Sequence, residues 1–277
     1  ILLLSLRKQA PTTVSFCGEK INRISEKAHA TLSPMILVLN WKMNPKTLKE
    51  AFSLLDATKK SILRKKITGI VAPPSVFLAD IARKKGTLHV AAQSIHTEES
   101  GSYTGDVAAA QVSSVGADHV LIGHAERRAL GETNEEVGKK VVAALASHLV
   151  PIICVGENAR DGQGHYLETV RIQLEAALGD VSKAKAKHLV IAYEPVWAIG
   201  ATKPMSTHEM HEMTIYIRKF LFAKFGKTGM SMPILYGGSI DGTSARDMMH
   251  HGEVDGLLVG RASSDIGKMH ELFDALK

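Results

Sequence analysis

Eight short apolar runs recur along the chain, starting at residues 36, 67, 88, 119, 150, 188, 232 and 255. They read ILVLNW, ITGIVAP, LHVAAQ, HVLIG, VPIICVG, HLVIAYE, MPILYGG and DGLLVG. Each is followed by a Gly, Pro or polar break and then by a helical pattern. A βα unit takes roughly 30 residues, so each interval holds one helix and its two loops. Runs that stay apolar rather than alternating predict parallel strands covered on both faces. Two S/T-x-x-E capping boxes, TNEE at 133–136 and STHE at 206–209, place helix starts in phase with this reading.

Eight such units can close on themselves or lie open, and the polar residues decide between the two. The polar and glycine outliers fall at the carboxyl ends of strands: Asn40 and Lys42, His124, Glu194, Gly237 to Ser239, and Gly260. Closure brings the first and eighth strands together and gathers those ends at one mouth. The expected class is therefore α/β, a closed eight-stranded parallel βα barrel. Its chemistry belongs at the carboxyl face, with a phosphate site after strands seven and eight.

Composition narrows the function. Half of the net charge of +6 falls in residues 1–34, and the remainder has no Lys/Arg block and no interleaved aromatics. That pattern suits a small anion rather than a nucleic acid. No apolar run approaches the ~20 residues of a membrane span. No Walker A loop is present, and no G-x-G-x-x-G opens a helix. HEMHEM at 208–213 lacks the H-E-x-x-H spacing, so it reads as a helix start rather than a metal site. Cys154, within PIICVG, reads as a buried thiol in a reducing compartment, and a cytoplasmic location is expected. Residues 1–34 lack sustained periodicity and read as a disordered or non-native N-terminal extension. The barrel domain then covers 35–277, with Met35 as a candidate start.

Four segments carry residues suited to chemistry. In LNWKMN, Asn40 and Lys42 are two apart, which in a strand sends both side chains to one face, with Trp41 packed outward between them. In IGHAERR, His124 ends a strand and opens a helical stretch. The helix dipole there disfavours the imidazolium and leaves a neutral ring able to donate a hydrogen bond. The following Glu126, Arg127 and Arg128 read as a solvated first turn. In YEPVWAIGATKP, Pro195 holds Glu194 extended, and Val196 to Ile199 form an unusually apolar loop. An apolar loop that folds over a ligand excludes water, and Glu194 at its root is placed to act as a general base. In YGGSI and LLVGRAS, glycine-rich strand ends present amides to an anion, with Ser239 adding a hydroxyl.

These motifs together resemble triosephosphate isomerase from Met35 to about Lys277. NWKMN is similar to its substrate-binding first strand, GHAERR to its histidine segment, and YEPVWAIG to its base-and-lid segment. YGGS and VGRAS are similar to its phosphate loops, and SGSYTGDV at 100–107 to the loop that inserts into a neighbouring subunit. The resemblance implies a TIM barrel that interconverts dihydroxyacetone phosphate and glyceraldehyde 3-phosphate without metal or organic cofactor. It implies a homodimer formed through the loop around Thr104. It further implies that Glu194 shuttles the proton, that His124 is the neutral electrophile, and that Lys42 and Asn40 stabilise the enediolate. The amides of Gly200, Gly238, Ser239, Gly260 and Arg261 would hold the phosphate, and Glu126 would support the site. Rivals of another kind are a catalytically silent phosphate-binding barrel and an aldolase-type barrel using Lys42 as a Schiff base. The chain departs from the family pattern in having Ala125 for a usual Ser, Ala201 to Pro204 in the lid, and Arg261 for a usual Gly.

Overall fold

Along the first strand, successive residues enter two different cores. Val38 faces a compact inner cluster with Ile70, Ala91, Leu121, Ile152, Leu235 and Leu258, while Leu37 and Leu39 join a larger cluster shared with the helices. This period-two division is what a strand buried on both faces requires. The computed structural model describes residues 34–63, 65–199 and 205–276.

Eight strands carry this division around a closed ring: β1 (Met35–Asn40), β2 (Ile67–Ala72), β3 (His89–Ala92), β4 (His119–Ile122), β5 (Val150–Val155), β6 (Val190–Tyr193), β7 (Ile234–Tyr236) and β8 (Gly256–Val259). All neighbours pair in parallel, and β8 returns to β1 to complete the barrel. All eight apolar runs of the sequence thus appear as strands. The helices between them, among the described residues, are α1 (Leu48–Ile62), α2 (Leu78–Lys84), α3 (Ala109–Ser114), α4 (Ala125–Ala129), α5 (Asn134–Ala146), α6 (His165–Leu178), α7 (Thr207–Phe225), α8 (Lys227–Met230), α9 (Gly242–His251) and α10 (Ile266–Ala275). Both predicted capping boxes form, on Thr133 with Glu136 and on Ser206 with Glu209. Of the extension read over residues 1–34, residues 1–33 lie outside the described residues.

Closure depends on an absent side chain. A Cβ on Gly256 would lie 1.9 Å from the Ile36 carbonyl oxygen and 3.0 Å from its Cα, so strand backbones leave no room there. Gly69 is less demanding, because its Cβ would meet only the ends of the Ile62 and Leu88 side chains, at 2.4 and 2.7 Å.

At the amino-terminal end of the barrel, far along the strands from the mouth, Asp118 ties β3 to β4. It accepts from Lys85 Nζ at 2.8 Å and from the Val90 amide at 3.1 Å, with His89 Nδ1 at 2.9 Å and His119 Nδ1 at 2.6 Å. Burial raises the carboxyl pKa, but the contacts with His119, Lys85 and His89 outweigh it and hold the group well below the usual carboxylate range.

Gly256→Ala is expected to destabilise the fold by about 2–4 kcal/mol in urea unfolding, since overpacking against backbone cannot relax. Gly69→Ala should cost clearly less. A group with a lowered folded pKa stabilises the protein above its ordinary value and loses that contribution as pH falls through the folded one. Asp118→Asn should therefore lower the thermal midpoint by a few degrees at neutral pH, and the gap should narrow below about pH 4.

Candidate active site

The carboxyl ends of the strands surround a cavity. Asn40, Lys42, His124, Glu194, Gly238, Ser239, Gly260 and Arg261 all line it, so eight of the ten sequence-predicted site residues meet on one volume. Glu126 stands beside it through Lys42, and Gly200 lies outside the described residues.

Lys42 reaches the cavity by a route the sequence reading did not foresee. Strand β1 ends at Asn40, and Lys42 then takes a left-handed backbone, with φ of 54°. Strand alternation therefore does not align the two side chains. A local turn does so instead, with the Lys42 amide donating to Asn40 Oδ1 at 3.0 Å. Gln93 Nε2 fastens this turn by donating to the carbonyls of Lys42 and Ala72, both at 2.8 Å. Trp41 is fully buried in the outer cluster, as expected. The Lys42 ammonium donates to Glu126 Oε1 at 2.6 Å.

His124 caps α4. Its Nδ1 accepts from the Glu126 amide at 3.2 Å, so the proton of the neutral ring sits on Nε2. That Nε2 lies 3.2 Å from Glu194 Oε1. Glu194 is 3% exposed, and its second oxygen accepts from the Ala125 amide at 3.0 Å. The amide thus supplies a donor at the position where the side chain has no hydroxyl. Glycines let the glutamate sit this deep. A Cβ on Gly156 would fall 1.8 Å from the Glu194 carbonyl oxygen, and one on Gly237 2.9 Å from its Cγ.

Two neighbours of this pair were missed from sequence. Cys154 lies in the inner barrel cluster, and its thiol hydrogen-bonds Glu194; burial first, and then that carboxylate, push the thiol pKa well up. The signal was present in β5, where Ile152 and Cys154 share the inward phase. Arg128 is the second, and the solvated-turn reading is corrected there. It is half-buried and donates to the Gly123 carbonyl at 2.8 Å, Asn134 Oδ1 at 2.7 Å and the Cys154 carbonyl at 3.3 Å. Burial lowers its pKa, with partial compensation from Cys154, Glu132 and Glu194. Glu126 is likewise engaged, through Lys42.

The opposite end of the cavity is built from backbone. The amides of Gly238, Ser239 and Arg261 have no acceptor among the described residues. A Cβ on Gly238 would fall 2.1 Å from the Tyr236 hydroxyl, and one on Gly260 3.1 Å from Lys42 Cε, so glycine permits close approach at both. Free amides at strand ends are suited to an anion.

A family model described as triosephosphate isomerase matches residues 35–276. The triosephosphate isomerase of Porphyromonas gingivalis is 40% identical over 247 residues, covering 87% of this chain and 98% of that protein. That of Acetivibrio thermocellus is 41% identical over 229 residues, covering 81% and 91%. The crystal structure of triosephosphate isomerase from Bartonella henselae superposes with a TM-score of 0.76 at 30% identity, covering 88% of this chain and 99% of that one. The chain belongs to the triosephosphate isomerase family.

In this member of the family, the segment after Glu194 is anchored by a buried carboxylate that the sequence reading passed over. Glu157 is 1% exposed and accepts from the Tyr193 hydroxyl at 2.8 and 2.9 Å, Trp197 Nε1 at 2.8 Å and Arg160 Nε at 3.1 Å. Its own carbonyl accepts from the Val196 amide at 3.0 Å. Pro195 and Ala198 are buried, and Val196–Ala198 forms a single 3-10 turn. Burial, and then the Glu157 charge, push the Tyr193 pKa up, which keeps its hydroxyl a donor. Residues 200–204 lie outside the described residues.

Glu157→Gln should cost about 2–4 kcal/mol, because Arg160 loses its buried partner. Turnover should fall with it as the Trp197 segment loosens. Thermal unfolding together with steady-state kinetics checks both.

Proposed function

We propose that the chain reversibly interconverts dihydroxyacetone phosphate and D-glyceraldehyde 3-phosphate, in glycolysis and gluconeogenesis, by proton transfer through an enediolate. One observation carries the reading. A buried carboxylate, Glu194, lies 3.2 Å from the Nε2 of an imidazole whose other nitrogen accepts a backbone hydrogen bond. Base and neutral donor thus share a cavity whose far end presents amides that have no acceptor among the described residues.

Glu194 takes the proton from one substrate carbon and returns it to its neighbour, while His124 Nε2–H donates to the oxygen that gains charge. These roles follow the family's established assignment, which the geometry here accommodates. Substrate entry moves the Glu194 carboxylate off His124, freeing the Nε2–H for the carbonyl oxygen. The Lys42 ammonium and Asn40 stabilise the enediolate, and Glu126 holds Lys42 in place. The amides of Gly200, Gly238, Ser239, Gly260 and Arg261 take the phosphate. Val196 to Gly200 covers the cavity with Pro195 as its near hinge, excluding water and strengthening each of these interactions. No metal or organic cofactor enters this scheme.

The Schiff-base alternative is disfavoured by the Lys42 contact, since an ammonium held by Glu126 has no lone pair for attack. No observation favours a silent barrel. The loop around Thr104 is exposed, with Tyr103 46% accessible, which fits pairing with a second copy as a homodimer. Among the described residues no helix is long and apolar enough to cross a membrane. We place the enzyme in the cytoplasm and its catalytic unit at residues 35–277.

Glu194→Gln keeps the shape and removes the base. It should lower kcat/KM for glyceraldehyde 3-phosphate by about 10²–10⁴-fold in a coupled assay. Near-wild-type turnover in that variant would remove Glu194 from the mechanism.

A further inference from the structure

Four ionisable side chains line the cavity: Lys42, His124, Glu194 and Arg261. Three of them are committed. Lys42 donates to Glu126 at 2.6 Å, and His124 lies against Glu194 with its Nδ1 accepting a backbone amide. Lys42 and Glu126 offset one another, so the lining without Arg261 is dominated by the Glu194 carboxylate. A phosphate dianion entering that volume meets like charge. Arg261 is exposed, and among the described residues its guanidinium contacts only the Ser239 hydroxyl, at 3.5 Å, with no carboxylate partner.

The placement of Arg261 is as informative as its freedom. It opens the 3-10 turn Arg261–Ser264 directly after β8, and the Ser263 hydroxyl pins that turn to the Asn40 and Gly260 carbonyls at 2.9 and 2.6 Å. The Arg261 amide and side chain therefore border the same cavity. Ser239 reaches the spot from the loop after β7, so hydroxyl and guanidinium come from adjacent strand ends. A planar guanidinium offers paired N–H donors that match two oxygens of a phosphate, and such charge-assisted contacts are about twice as strong as neutral ones.

We propose that the Arg261 guanidinium, together with the Ser239 hydroxyl, is a side-chain ligand for the phosphate dianion and sets the enzyme's selectivity for it. It closes from the solvent side a site whose remaining donors are amides, and it offsets the repulsion between Glu194 and the incoming anion. The inference rests on the isomerase reading of this cavity.

The test uses inorganic phosphate as probe, titrated calorimetrically into the full-length wild type, Arg261→Gly, Arg261→Gln and Arg261→Lys at fixed ionic strength. Kinetics with glyceraldehyde 3-phosphate and thermal midpoints are measured alongside. Arg261→Gly and Arg261→Gln should each bind phosphate about ten-fold more weakly and raise KM to a similar degree. Their kcat should stay within about two-fold of wild type, since the contact is present in both ground and transition states. Arg261→Lys should recover part of the loss, as a point charge without the fork. The KM difference should shrink as salt is added. Equal phosphate affinity in wild type and Arg261→Gln overturns the proposal, as does a fall in kcat that tracks a lowered thermal midpoint. Absence of turnover in the wild type would sink the isomerase reading, while the phosphate titration still decides the role of Arg261.

Discussion

Eight parallel strands have no free edge only because β8 pairs with β1. That pairing is possible because residue 256 has no side chain to push against the Ile36 carbonyl. Everything at the mouth depends on it. Asn40 stands at one end of the strand order and Gly260 at the other, and an open sheet would hold them a full sheet-width apart. Closure also buries the interior. Small residues such as Ala72, Ala91 and Ala192 share the ring with Ile70, Leu121, Ile152 and Cys154, and Glu194 is buried beside them, against Cys154. A carboxylate there has no bulk water for partner, so fixed donors must take that place.

The charges at the mouth are accordingly met with hydrogen bonds or opposite charge. Glu194 has the Ala125 amide, the Cys154 thiol and His124; Lys42 has Glu126; Arg128 has two carbonyls and Asn134. The site is held in geometry before any ligand arrives, which is the condition for electrostatic stabilisation without reorganisation at the moment of reaction. Glu157 extends the same logic to the segment beyond Glu194. One buried carboxylate gathers Tyr193, Trp197 and Arg160, so the apolar stretch has a rigid root next to Glu194. Among the described residues Arg261 is the exception to this pairing, and a guanidinium facing a cavity with no carboxylate partner there is what an anionic ligand would complete.

Much of this was legible in sequence where the signal is local. Strand positions follow from apolar runs about one βα unit apart, and the starts of α5 and α7 follow from their capping boxes. Candidate site residues stood out because polar groups at the ends of otherwise apolar strands have no structural reason to be there. Arg128 was misread because an arginine in a first turn is usually solvated, and nothing nearby in sequence reveals that the Cys154 carbonyl of β5 comes within reach. Lys42 was assigned to the right place for the wrong reason. Period-two alternation was extended two residues too far, whereas the chain had already left the strand and turned.

By itself the sequence determined which segments are strands and helices, which faces are apolar, and which strand ends carry Asn40, His124, Glu194 and the glycines. Those properties follow from side-chain periodicity and capping, which are short-range. Only the tertiary structure decided which of these groups touch. Lys42 and Glu126 are 84 residues apart, Ala125 and Glu194 are 69 apart, and Asn40 and Ser263 are 223 apart. The physical reason is closure. A barrel converts distance along the chain into adjacency around a ring, and contacts across that ring depend on strand register and on the room glycines leave, neither of which a local pattern encodes.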